Sequence, residues 1–272
     1  LVLSQLDFLQ LIQILEVTGS YGVTLWVALI NVILYILVRE FELNKHLGLF
    51  TWIIILGLWF FGNARMNEYD DSAEKLEVAI LQPNIDPNEK WDYHKKKETI
   101  AYMDSLHAVA IELNPDLILF PETALPAYLR LNSNVRGMIQ DRVDSSGIPV
   151  ITGTVDRTIS PNGEKSYFNS TMFLTPNHDF ILYNKLHLVP FAEYIPLSAQ
   201  FPSLKKLNFG QGNFSHGTEY TVFKWQDTQF SNLICYESSI PKVVREFVQN
   251  GAEMITIQTN DGWLGKTAGP YQ

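Results

Sequence analysis

Two nearly uncharged apolar runs, Tyr21 to Val38 and Leu47 to Gly62, are separated by the polar stretch Arg39-Glu40-Phe41-Glu42-Leu43-Asn44-Lys45-His46. Neither run carries the polar stripe of a surface helix, so the pattern predicts a hairpin of two membrane-crossing helices. At about 1.5 Å per residue the runs reach roughly 27 and 24 Å, close to the roughly 30 Å hydrocarbon thickness once flanking residues and local thinning are allowed. Asn31 inside the first run favours the competing reading, a pair of core helices in a water-soluble fold. Arg39 and Lys45 in the connection favour the cytoplasmic side for it, which places everything after Arg65 on the opposite face. Before the hairpin, Leu9, Leu11, Ile12, Ile14 and Leu15 suit either an interfacial helix or the end of another span.

From about Lys75 the texture changes to short apolar runs alternating with amphipathic stretches, the pattern of an α/β domain. Strands are predicted at Leu76 to Leu81, Leu117 to Phe120, Pro149 to Thr154, Asn169 to Leu174, Phe180 to Asn184, Ser231 to Cys235 and Met254 to Gln258. A helix should run from Tyr93 to Leu113, with Ile100, Met103, Leu106, Ala110 and Leu113 facing the core. A second should span Pro241 to Asn250, presenting Val243, Val244, Phe247 and Val248, with Gly251 just past its end. The Gly-bearing stretch Asn208 to Gly217 precedes no helix and reads as a loop rather than a phosphate cradle. The chain thus divides into a partial transmembrane domain over residues 1–66 and a second domain over residues 75–272.

Composition sharpens the boundary. Of 272 residues, 18% are charged, below the usual quarter, with the deficit concentrated in the first 62 residues. A net charge of −9 argues against a nucleic-acid partner. The short cluster Lys95-Lys96-Lys97 reads as the solvated start of a helix. The six histidines show no zinc-site spacing, so neither a metal nor a cofactor is expected. A single cysteine excludes an internal disulfide. Leu1 stands where a start methionine would be, with no signal-peptide pattern after it, so the sequence reads as cut at its start.

Three ionisable residues fall at strand ends, where α/β sheets build sites: Glu122, Lys185 and Cys235. Singly, each has a bland reading: a turn residue, a solvated lysine, a small buried hydrophobe. Together they supply a base, an oxyanion partner and a nucleophile. A thiolate attacks acyl carbons well, and its thioester stays reactive enough to pass the acyl group onward. For Glu122 to take the thiol proton, its environment must close a gap of about 4 pKa units, roughly 6 kcal/mol. Burial would raise the carboxylate value, while an ammonium beside the sulfur would lower the thiol value. That ammonium and the Tyr236 N–H could then hold the oxyanion.

The stretches Phe120-Pro121-Glu122-Thr123-Ala124-Leu125-Pro126, Tyr183 to Pro196 (with Lys185 and Glu193) and Ile234-Cys235-Tyr236-Glu237 resemble the three signature motifs of the nitrilase superfamily. More narrowly they are similar to the bacterial apolipoprotein N-acyltransferase family. Lys90-Trp91-Asp92, Asn260 to Gly265, the hairpin and Thr18 to Val23 all resemble that branch. The resemblance implies an αββα sandwich, here incomplete, carried by transmembrane helices. It places a multi-pass protein in the bacterial cytoplasmic (inner) membrane with the catalytic domain on its outer, periplasmic face.

The implied reaction has two steps. Cys235 takes a fatty acyl group from a phospholipid such as phosphatidylethanolamine. The α-amino group of a diacylglyceryl-modified N-terminal cysteine on an apolipoprotein then accepts it. Glu122, Lys185 and Cys235 match the family triad; Glu193, Tyr236 and Glu237 match its supporting residues, and Trp91 lies on a loop at the mouth of the site. Trp91 also suits a membrane-interface anchor, Glu193 a turn cap, and strand alternation would let only one of Tyr236 and Glu237 face the sulfur. Asn-x-Ser/Thr matches at Asn169 and Asn213 read as chance. Full family members extend beyond both ends, past Leu1 and past Gly269-Pro270-Tyr271-Gln272, so little activity is expected of this stretch alone. Two other readings share the motifs: a membrane-tethered amidase acting on a small carbon–nitrogen substrate, and a non-catalytic membrane-anchored binding module.

Overall fold

The computed structural model describes residues 2–69, 75–87, 89–177, 179–198, 200–201, 203–204, 213–265 and 267. Of the predicted loop from Asn208 to Gly217, residues 208–212 lie outside the described residues, as does the whole motif Gly269 to Gln272. The chain forms two compact units that meet between Lys75 and Leu76.

The first unit is helical. After a 3-10 turn, Val2–Gln5, come α1 (Leu9–Ile12), α2 (Leu15–Arg39) and α3 (Phe41–Asn67). Both long helices outrun the predicted apolar cores, and α2 kinks at Gly19, whose φ of 65° suits glycine. Leu15–Arg39 and Lys45–Asn67 have mean hydropathies of 2.2 and 1.8 and are long enough to cross a membrane. Their apolar side chains point outward: Tyr21, Leu25, Val32, Ile53 and Phe60 are all more than half exposed. That is the reverse of a buried core pair. Asn31 loses its force as evidence for one, because its Nδ2 donates to the Val27 carbonyl at 2.8 Å, as Asn63 does to Trp59 at 2.8 Å. Such i−4 bonds satisfy a polar side chain without water.

The second unit is an α/β sandwich. In order come β1 (Val78–Ile80), α4 (Tyr93–Glu112), β2 (Leu117–Leu119), α5 (Ser133–Ser146), β3 (Val150–Ile159), β4 (Lys165–Thr175), β5 (Asp179–Asn184), β6 (Phe223–Trp225), β7 (Thr228–Ile234), a 3-10 turn (Cys235–Ser239), α6 (Pro241–Gln249) and β8 (Met254–Gln258). One sheet has the order β1-β2-β3-β4-β5, parallel through β3 and antiparallel beyond; the other is β6-β7-β8. β2 is apolar at every position because both its faces are covered. Ile118 and Phe120 pack with Met103 and Ala110 of α4 and Ile139 and Val143 of α5. On the other face Leu117, Leu119, Ile151 and Phe173 meet Phe223, Phe230 and Leu233 of the second sheet, and Phe173 lies 5.2 Å from both phenylalanine rings.

A polar layer also joins the sheets. Asn232 Nδ2 donates to Thr171 Oγ1 (2.7 Å) and Gln258 Oε1 (2.9 Å), and Gln258 Nε2 donates to the Phe120 carbonyl at 2.7 Å. The second sheet is thereby tied to the strand end that precedes Glu122.

The helix faces differ from expectation in detail. Leu113 is 70% exposed and His107 is buried in its stead: Leu113 is the C-cap of α4, where the chain leaves the core, whereas His107 stands one turn after Met103. On α6 only Val243 and Phe247 are buried; Val248 is exposed, since a nine-residue helix against one cluster covers little beyond its i, i+4 pair. α5 was not predicted, although Asn132 caps its start, Gly147 closes it at φ 75° and Val135, Ile139 and Val143 share a face.

Candidate active site

β2 delivers Glu122 through the turn Pro121-Glu122-Thr123. Thr123 has a φ of 45°, a left-handed conformation rare for a β-branched residue. The turn presses on Gly153 of β3: a Cβ there would sit 2.6 Å from the Glu122 Cα and collide with the Thr123 amide nitrogen. Only glycine lets the turn come so close. Glu122 is buried, and its Oε1 accepts from Asn169 Nδ2 of β4 at 2.8 Å. The same amide donates to Glu193 Oε1 at 2.8 Å.

Lys185 follows β5 and is 1% exposed. Its backbone N–H donates to the Asn169 carbonyl at 2.9 Å, and its Nζ meets Glu193 at 2.9 and 2.8 Å. Glu193 also accepts from the Val189 N–H at 2.8 Å, so it both orients the lysine and closes the turn after it.

Cys235 opens the 3-10 turn at the end of β7, with a φ of 52°. Strand alternation therefore stops at the thiol. Glu237 swings fully inward while Tyr236 stays 40% exposed. Both Glu237 oxygens are taken up by hydrogen-bond donors. Its Oε1 accepts from the Tyr183 hydroxyl (2.7 Å), the Leu186 N–H (2.8 Å) and the His187 N–H (3.1 Å), and its Oε2 from the Ile234 N–H (2.9 Å). One carboxylate thus clamps the cysteine turn to the loop carrying Lys185.

The charges interact. Burial raises the proton affinity of Glu122, with Glu193 adding to the rise; Lys185, Asn169 and Lys90 pull against it. Burial likewise raises the Cys235 thiol, reinforced by Glu122 and Glu193 and opposed by the Thr259 hydroxyl and Lys185. The expected depression of the thiol by an adjacent ammonium is therefore outweighed. Both proton affinities thus rise, and the resting cysteine is a protonated thiol.

A cavity of about 800 Å³ opens beside Glu122, lined by Ile85, Asp86, Lys90, Thr123, Gln258 and Thr259 among others. Trp91 is 42% exposed and its ring lies 6.4 Å from Tyr128; its neighbour Lys90, not Trp91 itself, reaches the cavity wall. Among the described residues no group of three or more His, Cys, Asp or Glu is placed to hold a metal. The sequence reading missed Asn169, Gly153, Thr259 and the burial of Lys90. Asn169, dismissed as a chance glycosylation match, is 3% exposed between two carboxylates; a lone amide at the start of an apolar strand segment was the available signal.

Two stacked mixed sheets whose strand ends converge on a thiol, a carboxylate and an ammonium place this unit among the nitrilase-like sandwiches. A solved structure of a Nesterenkonia AN1 amidase variant from the nitrilase superfamily superimposes with a TM-score of 0.50 at 18% identity over 72% of each chain, a likeness of fold alone. The chain belongs to the carbon–nitrogen hydrolase family, whose model matches residues 77–272. It is also 34% identical to the apolipoprotein N-acyltransferase of Chlorobaculum tepidum, over 99% of this chain and 56% of that protein. With the Geobacter metallireducens enzyme of the same name the identity is 32%, over 99% of this chain and 53% of the relative. The chain spans about half the length of these curated relatives.

Proposed function

We propose that the protein is a membrane-embedded N-acyltransferase of lipoprotein maturation. The observation that carries this is the hydrogen-bonded chain Glu122–Asn169–Glu193–Lys185, whose two end members both act electrostatically on the Cys235 thiol. In the first step Glu122 takes the thiol proton as Sγ attacks the ester carbonyl of a phospholipid. Lys185 and the Tyr236 N–H hold the oxyanion. The C–O bond breaks, the thioester forms, and the lysophospholipid leaves with the proton returned by Glu122. In the second step the free α-amine of a diacylglyceryl-cysteine attacks the thioester; a C–N bond forms, the C–S bond breaks, and the displaced sulfur regains a proton. Glu193 and Asn169 orient the charged pair, and Glu237 fixes the geometry of nucleophile and lysine.

The acceptor and reaction follow the names of the relatives, and phosphatidylethanolamine as donor follows the sequence resemblance. Two outward-facing apolar helices support the choice of lipid substrates, since tethering raises their effective concentration at the thiol. Arg39 and Lys45 support an orientation with the catalytic unit on the outer face of the inner membrane.

Intact mass measurement of the full-length protein in membranes containing phosphatidylethanolamine tests the proposal. Wild type should gain a fatty-acyl increment that Cys235→Ala lacks, and a diacylglyceryl-cysteine peptide should discharge it as the N-acylated product. An unmodified wild type that hydrolyses a small amide through Cys235 would make the protein an amidase instead.

A further inference from the structure

Lys90 lies outside the three motifs that carry Glu122, Lys185 and Cys235, yet it is 3% exposed. A lysine so deeply buried needs a partner for its charge. Its Nζ donates to the Thr123 carbonyl at 2.8 Å, the residue beside Glu122 whose backbone is held in the left-handed region. Gly153 supports that turn from the β3 side; Lys90 grips it from the other. The Lys90 backbone N–H donates to the Asp86 carbonyl at 3.2 Å, so the side chain bridges the loop holding Trp91 and the turn holding Glu122.

We propose that Lys90 is a positioning residue for the chemistry proposed above: it pins the Thr123 turn, supplies Glu122 with a second positive charge beside that of Lys185, and tethers the Trp91 loop to the site. The proposal rests on Glu122 acting as the base. The groups that bear on Glu122 are Lys185, Glu193, Asn169 and Lys90, with Cys235 as its proton donor; Asp86 and Asp261 share the cavity wall with Lys90. Burial draws the Lys90 ammonium from its ordinary 10.5 down to about 8, and Glu122 opposes that fall. The ammonium is therefore charged at neutral pH, and the attraction between it and Glu122 is mutual.

The test is the pH profile of Cys235 alkylation by iodoacetamide in the full-length protein, which needs no lipid. Glu122→Gln, which removes the titrating carboxylate, should abolish the acid limb and so assign it to Glu122. Lys90→Met keeps the length and apolar stem while removing the charge. Its carboxylate should hold a proton to higher pH, moving the midpoint of the acid limb up by roughly 1 pH unit. Lys90→Arg should restore most of that displacement. A Lys90→Met protein that unfolds at the wild-type temperature with its midpoint unmoved would reduce Lys90 to a space-filling role and overturn the proposal. A midpoint that moves in a protein forming no acyl adduct would uphold the role of Lys90 and sink the transferase reading instead.

Discussion

Glu237→Gln is nearly isosteric, yet it should loosen the site measurably. The carboxylate is fully buried and meets three donors at Oε1 and one, the Ile234 N–H, at Oε2. A glutamine keeps the three by turning its carbonyl toward Tyr183, Leu186 and His187. Its NH2 must then face the Ile234 N–H, donor against donor. One buried donor left unmet costs about 1–3 kcal/mol, which in a domain of this size lowers the unfolding temperature by roughly 2–12 °C. Glu237→Ala strands all four donors, on the order of 4–12 kcal/mol, comparable to the whole stability of a domain, and should not accumulate in folded form. Tyr183→Phe removes one donor and leaves the carboxylate three, a loss of about 1 kcal/mol. Thermal unfolding of the full-length protein in detergent ranks Glu237→Gln against Tyr183→Phe, the yield of folded protein reports on Glu237→Ala, and Cys235 alkylation should speed up in the glutamine variant because the orphaned N–H lies at the base of the cysteine turn. A Glu237→Ala protein no less stable than Tyr183→Phe would refute the clamp.

Two further outcomes follow from contacts around the catalytic turn. Gly153→Ala drives a methyl against the Glu122 Cα and the Thr123 amide, so acyl-adduct formation on Cys235 should fall about a hundredfold for a shift of about 1 Å while the protein still folds; a wild-type rate would show that the turn tolerates displacement. His107 is 1% exposed, edge-on to Phe120 at 5.2 Å, and burial takes its pKa from 6.5 down to about 4. Because the folded value is depressed, the neutral imidazole is favoured: stability is full above pH 6.5 and is lost as pH falls toward 4, by about 3 kcal/mol once protonation is complete. Unfolding temperatures between those pH values should drop less for His107→Leu than for wild type, and equal slopes would rule out this histidine as a source of acid sensitivity.

The sequence made the strand cores legible because they are apolar on consecutive positions, as in Leu117 to Phe120, and it made Glu122, Lys185 and Cys235 legible because each terminates such a run. It did not reveal the outer halves of β3 and β4. Their ladder extends to Ile159↔Lys165, but Arg157, Thr158 and Lys165 are polar, Asp156 is buried through its ion pair with Arg130, and local pattern cannot register a partner strand. β6 was missed because Lys224 interrupts its three residues, whereas the equally short β1 and β2 are apolar throughout. The roles of Glu237 and Asn169 were hidden for a different reason. Whether Glu237 alternates outward or turns inward depends on the left-handed Cys235, and whether an Asn in a strand is a surface amide or a bridge between carboxylates depends on residues 47 and 24 positions away. Such long-range pairings leave no periodic trace.

The buried charges explain why these residues occur together. With the thiol protonated, an ionised Glu122 and Glu193 face the ammonium groups of Lys90 and Lys185, so among these four groups the charges cancel. In the proposed attack Glu122 becomes neutral by taking the proton while a negative charge appears on the oxyanion, and the sum remains zero. The proton moves within a pocket whose net charge does not change, so burial, which strengthens each pairwise attraction, imposes no growing desolvation cost along the reaction. Lys185 alone could not maintain this, because its ammonium is already paired with Glu193 at 2.8 Å; with Lys90 neutral the site would rest at −1, and the cheapest relief would be a proton retained on Glu122, the base disabled by its own surroundings.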